Sequence, residues 1–307
     1  MEYVLQTFGL SKRYKKQWAL RKVDMNIARG DIYGFVGENG SGKTTIIRLI
    51  TGLISATEGG FELFGASNKS AEISLMRKKM GAVVETPSIH LNMSAADNLK
   101  LQGLLLGVRD QEKMQEVLQE VGLSELWNDS KRAGDYSLGM RQRLGIAMAL
   151  LGDPEFLVLD EPMNGLDPAG IVEIRELILK LNYERKITFL ISSHILTELS
   201  LVATKYGIIS KGKIVKEITA EDLRRECRPT VFINTPSRDD LMAFMNQNYA
   251  ESDYAPTARG CRIFGEINLT ELLKGILDAG IVLESVNCHD SSIEEYYLSL
   301  IGGARHD

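Results

Sequence analysis

The chain has 307 residues, 44% hydrophobic and 25% charged, the balance of a globular protein with room for about two domains. Its 36 basic and 41 acidic side chains give a net charge of −5, which argues against a dedicated nucleic-acid binder, whose footprint is a basic excess. Three cysteines, Cys227, Cys261 and Cys288, have no CxxC spacing and exclude a disulfide framework in favour of thiols in a reducing compartment. The opening residues MEYVLQTFGLSKRY lack a signal-peptide core. The longest nearly apolar run, 144–152, falls well short of the roughly 18 residues of a membrane span. If the protein works at a membrane, other chains must cross it.

Taken in chain order, DIYGFVG reads as a strand, and KTTIIRLITGL as a helix ending at Gly52. Between them Gly37-Glu-Asn39-Gly40-Ser41-Gly42-Lys43-Thr44 fits GxxxxGK[ST]. Glycines let backbone amides curl around a polyphosphate, and the helix N-terminus adds partial positive charge. In such a loop Lys43 reaches the β- and γ-phosphates and the Thr44 hydroxyl ligates Mg²⁺. The strand MGAVVE ends at Glu85, before Thr86-Pro87-Ser88. From about 86 to 136 the pattern is helical: Ser94 is placed to cap a helix with Leu99, Leu101, Leu104 and Leu105 along one face, and DQEKMQEVLQEVGL forms a second helix ending at Gly122. In YSLGMRQRLGIAMALL, Ser137 and Gly139 are suited to open a helix whose first amides face a phosphate. FLVLDEP is a short apolar run that reads as a buried parallel strand. At its end Asp160 is placed to hold the Mg²⁺ shell and Glu161 to take a proton from an attacking water. MNGLDP carries Asp167, and FLISSHIL presents His194 after a strand over 187–192.

These motifs, in this order, resemble the ATPases of ABC transporters over residues 1 to about 218. The segment 136–140, Tyr-Ser-Leu-Gly-Met, resembles their signature LSGGQ, keeping the serine and second glycine, with Leu138 and Met140 in place of glycine and glutamine. The resemblance implies an α/β P-loop NTPase fold: a nucleotide-binding domain over 1–218 with a helical subdomain at about 86–136. It places Gly37, Asn39, Gly40, Ser41, Gly42, Lys43, Thr44 and Thr45 around ATP. Tyr14, 23 residues before Gly37, stacks on adenine, with Trp18 as the competing aromatic. Ser137 and Gly139 meet the nucleotide of a second copy, Asp167 lies at the dimer seam, and His194 contacts the γ-phosphate. Glu85 stands where the family usually has glutamine, a position that touches Mg²⁺ and the attacking water. A glutamate there resembles the "E-loop" of lantibiotic-immunity ATPases and their bacitracin-resistance relatives. The implied protein is an ATP- and Mg²⁺-dependent homodimer at the cytoplasmic face of a bacterial membrane, driving separate permease chains that export peptide antibiotics. Another exported cargo (a drug, a lipid or an ion) is the alternative. A soluble ATPase of ribosomes or DNA fits less well, because the chain is acidic, has one module and lacks a coiled-coil insert.

Past residue 218 the pattern changes. TAEDLRRECRP reads as a linker helix. TVFINT, CRIFGEI and IVLESVN read as strands, and RDDLMAFMNQN, NLTELLKGILDAG and SIEEYYLSLIG as helices. Together they suggest a small α+β domain over 219–307 with an accessory role. Cys288, His289 and Asp290 are adjacent but have no second ligand cluster nearby, and read as a loop.

Overall fold

The computed structural model describes residues 2–249, 252–265, 267–289 and 293–303, in two compact units, one running to Ala220 and the other from Glu221 to Gly303. In the first unit, β1 (Tyr3–Tyr14) and β2 (Gln17–Val23) form a hairpin, followed by β3 (Asn26–Ala28). β4 (Ile32–Val36) leads through the glycine-rich loop into α1 (Lys43–Ile50). Then come β5 (Glu58–Leu63), β6 (Ala66–Ser67), α2 (Ile73–Arg77) and β7 (Met80–Val83). The helical segment holds α3 (Ala95–Leu106) and α4 (Gln111–Glu120), with α5 (Leu138–Leu150) after it. β8 (Phe156–Asp160), α6 (Pro168–Arg185), β9 (Thr188–Ser193), α7 (Leu196–Ser200), β10 (Lys205–Ser210) and β11 (Lys213–Thr219) complete the unit.

Two sheets enclose the core. One has strand order β11-β10-β4-β9-β8-β7, parallel except where β11 joins β10. β4, β8 and β9 are buried along their whole length, as expected for parallel strands covered on both faces. The other sheet is antiparallel, order β2-β1-β5-β6, with β3 beside β1. Helix α1 lies in the core, where Ile46, Ile47, Leu49 and Ile50 cluster with Leu5, Phe61 and Leu63 of one sheet and Phe35, Phe156 and Leu190 of the other. Each such side chain stabilises the unit by about 1.5–3 kcal/mol. This packing fixes the direction of α1 and therefore the position of its first residues, Lys43 and Thr44. The carboxyl ends of β4, β8 and β9 meet where the sheet order switches, the place where open α/β sheets bind ligands.

Ser94 caps α3, its hydroxyl accepting from Asp97 N. The expected leucine face of α3 is only partly right. Leu99 is buried, but Leu104 and Leu105 are 66% and 76% exposed. The inner face is instead Ala95, Ala96, Asn98, Leu99 and Gly103. The reason is close approach: a Cβ on Gly103 would lie 2.5 Å from Met114 Cε and from Val108 O. Position 103 therefore has to be glycine, and Leu104 and Leu105 beside it are left outside.

Tyr33 of β4 is fully buried, and its hydroxyl donates to Glu217 Oε1 at 2.8 Å, with Lys205 Nζ 3.2 Å from the same oxygen. Burial pushes the phenol well above its ordinary value, and the charges of Glu217 and Asp31 and the hydrogen bond to Glu217 push the same way. A group raised in the folded state contributes stability that is complete below its unfolded value, near 10, and is lost as pH rises through its folded one. Urea unfolding from about pH 9 to about pH 11 should therefore show falling stability, and Tyr33→Phe should make that fall shallower.

The second unit contains most of α8 (Ala220–Glu226), then β12 (Thr230–Asn234), α9 (Arg238–Asn248), β13 (Tyr254–Thr257), β14 (Gly260–Phe264), α10 (Leu269–Asp278), β15 (Ser285–His289) and α11 (Ile293–Gly303). From β12 to β15 the order is β-α-β-β-α-β, the split arrangement of ferredoxin-like folds. The sheet is antiparallel, order β13-β14-β12-β15. Val231, Ile233, Cys261 and Ile263 pack against Leu241, Met245, Leu272 and Ile276 of the helices. Strand β13 was not expected from the sequence because it contains Pro256, which is tolerated there because, among the described residues, β13 pairs with β14 alone, at the sheet edge. Cys288 and His289 are strand residues, paired with Val231 and Thr230, rather than loop; Asp290 lies outside the described residues. Among the described residues no helix is long and apolar enough to cross a membrane.

Candidate active site

The glycine-rich loop holds its shape through backbone geometry. Gly40 and Gly42 have φ of 79° and 115°, values open to glycine and strained for other residues. A Cβ on Gly37 would lie 2.5 Å from Ile209 O and from Ser41 Oγ. Ser41 N donates to Glu38 O, and Gly212 N to Ser41 O. Gly37 is buried while Glu38, Asn39 and Gly40 are exposed, so the loop presents its tip outward. Ile46 N donates to Gly42 O, which starts the α1 ladder directly behind the loop.

Lys43 is buried. Its ammonium donates to Gly37 O at 2.6 Å and Glu38 O at 3.3 Å, and lies 3.2 Å from Glu161 Oε1. The other oxygen of Glu161 sits 2.8 Å from His194 Nδ1. Beside the Lys43 ammonium, an anionic Glu161 is the acceptor, which makes Nδ1 the donor. Lys43, Glu161 and His194 thus form one chain of charge-assisted contacts at the ends of α1, β8 and β9. Glu161 also adopts a left-handed backbone, φ 51°, a strain of about 1–3 kcal/mol that persists only where the surroundings enforce it. Its own amide is fixed by donation to Ser192 Oγ at 2.9 Å.

Asp160 is 1% exposed. Its Oδ1 accepts from Ser192 Oγ at 2.6 Å, whereas Oδ2 has no hydrogen-bond partner in the structure. A buried carboxylate oxygen left unpaired, one residue before the Glu161 that meets Lys43, has the chemistry a hard divalent cation requires. Ser41 Oγ is a second buried polar atom without a partner at this site. Ser192, which joins Asp160 to the backbone of Glu161, was not singled out from sequence; its signal was the serine pair closing the strand in LISSH.

Other predicted residues stand apart from this cluster. Ser137 caps α5, accepting from Met140 N at 3.2 Å, and Asp167 caps α6, accepting from Gly170 N at 3.1 Å. Leu138 lies against the loop before α6: a Cβ on Gly165 would come within 3.3 Å of its Cδ2. Gly139 is open to within 3.8 Å of Leu166. Tyr14, 44% exposed, and Trp18 share the β1–β2 hairpin, which adjoins the glycine-rich loop through Ala19 and Leu20. Lys12 Nζ stands 5.3 Å from the centre of the Tyr14 ring and the Arg13 guanidinium 5.2 Å from that of Trp18. Thr44 and Thr45 are half-buried on the first turn of α1. Glu85 pairs with Arg48, farther along α1, and not with Lys43, Asp160 or Glu161.

The sequence profile of the ABC transporter family matches residues 20–164. A bacitracin transport ATP-binding protein of Bacillus licheniformis, BcrA, is 38% identical over 305 residues, 99% of each chain. This chain belongs to the ABC transporter ATP-binding family. It is an ABC ATPase that binds and hydrolyses ATP. The lantibiotic transport ATP-binding protein SrtF of Streptococcus pyogenes is 41% identical over 214 residues, 70% of this chain and 90% of that one. A solved ATP-binding cassette, dimeric and bound to ADP and Pi in a post-hydrolysis state, superposes with a TM-score of 0.63 at 25% identity, over 70% of this ATPase and 98% of that chain.

Proposed function

We propose that this ABC ATPase powers an exporter that removes peptide antibiotics of the bacitracin or lantibiotic type from the bacterial membrane. It works as an ATP-dependent homodimer held at the cytoplasmic face by permease chains. The observation that carries this reading is that the likeness to a bacitracin transport ATPase runs along both units, the Glu221–Gly303 unit included. A shared engine alone would account only for the first unit. A groove of about 600 Å³ beside α5, lined by Val84, Pro87, Leu105 and Leu106 among others, offers the permease a place to engage.

Within the site, ATP draws Lys43 from the carbonyls of Gly37 and Glu38 and from Glu161 onto the β- and γ-phosphates. The loop amides and the first turn of α1 hold the same phosphates. Thr44 and Asp160 would hold Mg²⁺, which would neutralise phosphate charge, and Glu85 would serve that cation and the attacking water. Glu161, released by Lys43 and oriented by His194, accepts the proton of the water. Tyr14 supports the adenine. Ser137 and Gly139 of a second copy close over the γ-phosphate, with Asp167 at the seam, so the helix cap seen in one copy becomes an anion site in the pair.

The test is survival. The chain is expressed with neighbouring permease genes in a sensitive Gram-positive host, beside a Glu161→Gln version, and both are challenged with bacitracin, a lantibiotic and two unrelated drugs. Protection against a peptide antibiotic, lost in the mutant, is expected. Protection confined to an unrelated drug would overturn the cargo assignment.

A further inference from the structure

We infer that Arg48 is a positioning residue that parks Glu85 away from the nucleotide, so that hydrolysis requires an ion pair on α1 to open. The inference rests on the proposed role of Glu85. Three observations carry it.

The first is the pair itself. The Arg48 guanidinium donates to Glu85 Oε1. The second is where Arg48 stands. Arg48 follows Thr44 by four residues, so the two share one face of α1, about one turn apart. That turn is roughly 6 Å of rise. Glu85 therefore lies alongside the helix that carries Lys43 and Thr44, held by Arg48, while Lys43 pairs with Glu161 instead. The third is the backbone. Glu85 has φ of 60°, a left-handed conformation a glutamate holds only when its surroundings impose it. The rest of its loop is anchored: a Cβ on Gly145 of α5 would lie 2.5 Å from Pro87 Cβ, so Pro87 sits directly on α5. With Val83 held in β7 and Pro87 seated on α5, Glu85 lies between two anchors, and the Arg48 bond is the hydrogen bond to its side chain that the structure shows.

The physics suits a latch. Arg48 and Glu85 are 40% and 53% exposed. Pairs that open to water are weak and reversible, so a stronger charge within one turn can take Glu85 from Arg48. The phosphates and their cation bring such a charge to Thr44. A glutamine here would keep only a weaker hydrogen bond to Arg48 and lose the ion pair, so the latch depends on the carboxylate that distinguishes this chain from the usual family pattern. Because α1 carries Arg48 and α5 carries the Pro87 seat, release of Glu85 changes what binds one end of the loop that also borders the groove beside α5.

The experiment compares the full chain with Arg48→Gln, Glu85→Gln and the double variant. Amide hydrogen exchange of residues 84–89 is measured without nucleotide, and the Mg²⁺ concentration for half-maximal ATP hydrolysis is measured separately. Arg48→Gln is expected to speed exchange of the loop and to lower the half-saturating Mg²⁺ by about two- to fivefold. In the Glu85→Gln background, adding Arg48→Gln is expected to change both far less. Loop exchange in Arg48→Gln equal to that of the unaltered chain would overturn the latch whatever the Mg²⁺ result. Equal effects of Arg48→Gln in both backgrounds would make Arg48 a merely structural residue and overturn it too. Glu85→Gln leaving the Mg²⁺ dependence unchanged would instead remove the proposed role of Glu85, and the inference would fall with it.

Discussion

Replacing Glu161 with glutamine should lower ATP hydrolysis by about 10²–10⁴-fold while ATP still binds. Glutamine keeps the size of the side chain and one acceptor oxygen, so a contact to His194 Nδ1 survives. It removes the charge that takes a proton from water. It also removes the ion pair that holds Lys43 at 3.2 Å. Lys43 then leaves its resting contacts more readily, and affinity for ATP is expected to hold or rise. Phosphate release and titration with a fluorescent ATP analogue separate the two effects. Hydrolysis within a few-fold of the unaltered protein would show that Glu161 is not the base. Loss of binding as well would show that the Lys43–Glu161 pair holds the loop in shape. The prediction is sharp because the structure gives Glu161 two partners of different kinds: one that competes with ATP for Lys43 and one, His194, that remains.

The parts of this site that were readable in the sequence are those where chemistry demands a residue type at a fixed spacing. Lys43 must follow a glycine loop and open a helix, and Asp160 and Glu161 must end a buried strand. His194 follows the strand beside them. Caps were readable for the same reason: Ser94 and Ser137 each accept from an amide three residues on, a local bond that needs no knowledge of the rest of the fold. What escaped was decided by neighbours distant in sequence. Ser192 acquires its role only because β9 lies beside β8, which sets its hydroxyl against Asp160 and the Glu161 amide. Arg48 reads as one more charge on a helix until β7 delivers Glu85 to its side. Leu104 and Leu105 of α3 look like core by periodicity, yet the closeness of Met114 and Val108 gives the inner face at that end to Gly103. Strand β13 is hidden by a proline that only an edge position permits.

Gly42→Ala is expected to abolish useful nucleotide binding, while Gly40→Ala, two residues earlier, is expected to be mild. Both glycines have positive φ, so both substitutions strain the backbone, by about 1–3 kcal/mol. They differ in what the new methyl meets. At Gly40 nothing lies within 4 Å, and φ of 79° is near the left-handed basin. At Gly42 φ is 115°, and the methyl would lie 2.6 Å from Leu20 Cδ2 and 2.9 Å from Ala19 O. Leu20 is fully buried and Ala19 O is backbone within β2, so neither can move aside cheaply. Overpacking adds about 1–3 kcal/mol, and the chain can relieve it only by turning the residue that begins α1. That turn displaces Lys43 and the amides that face the phosphates. Affinity for a fluorescent ATP analogue should fall by roughly 100-fold or more, about 2.7 kcal/mol, in Gly42→Ala. The Gly40→Ala protein should stay within about tenfold of the unaltered chain. Equal losses in the two would mean that conformational freedom alone, and not the close packing of β2 on the loop, sets the shape of the phosphate cradle.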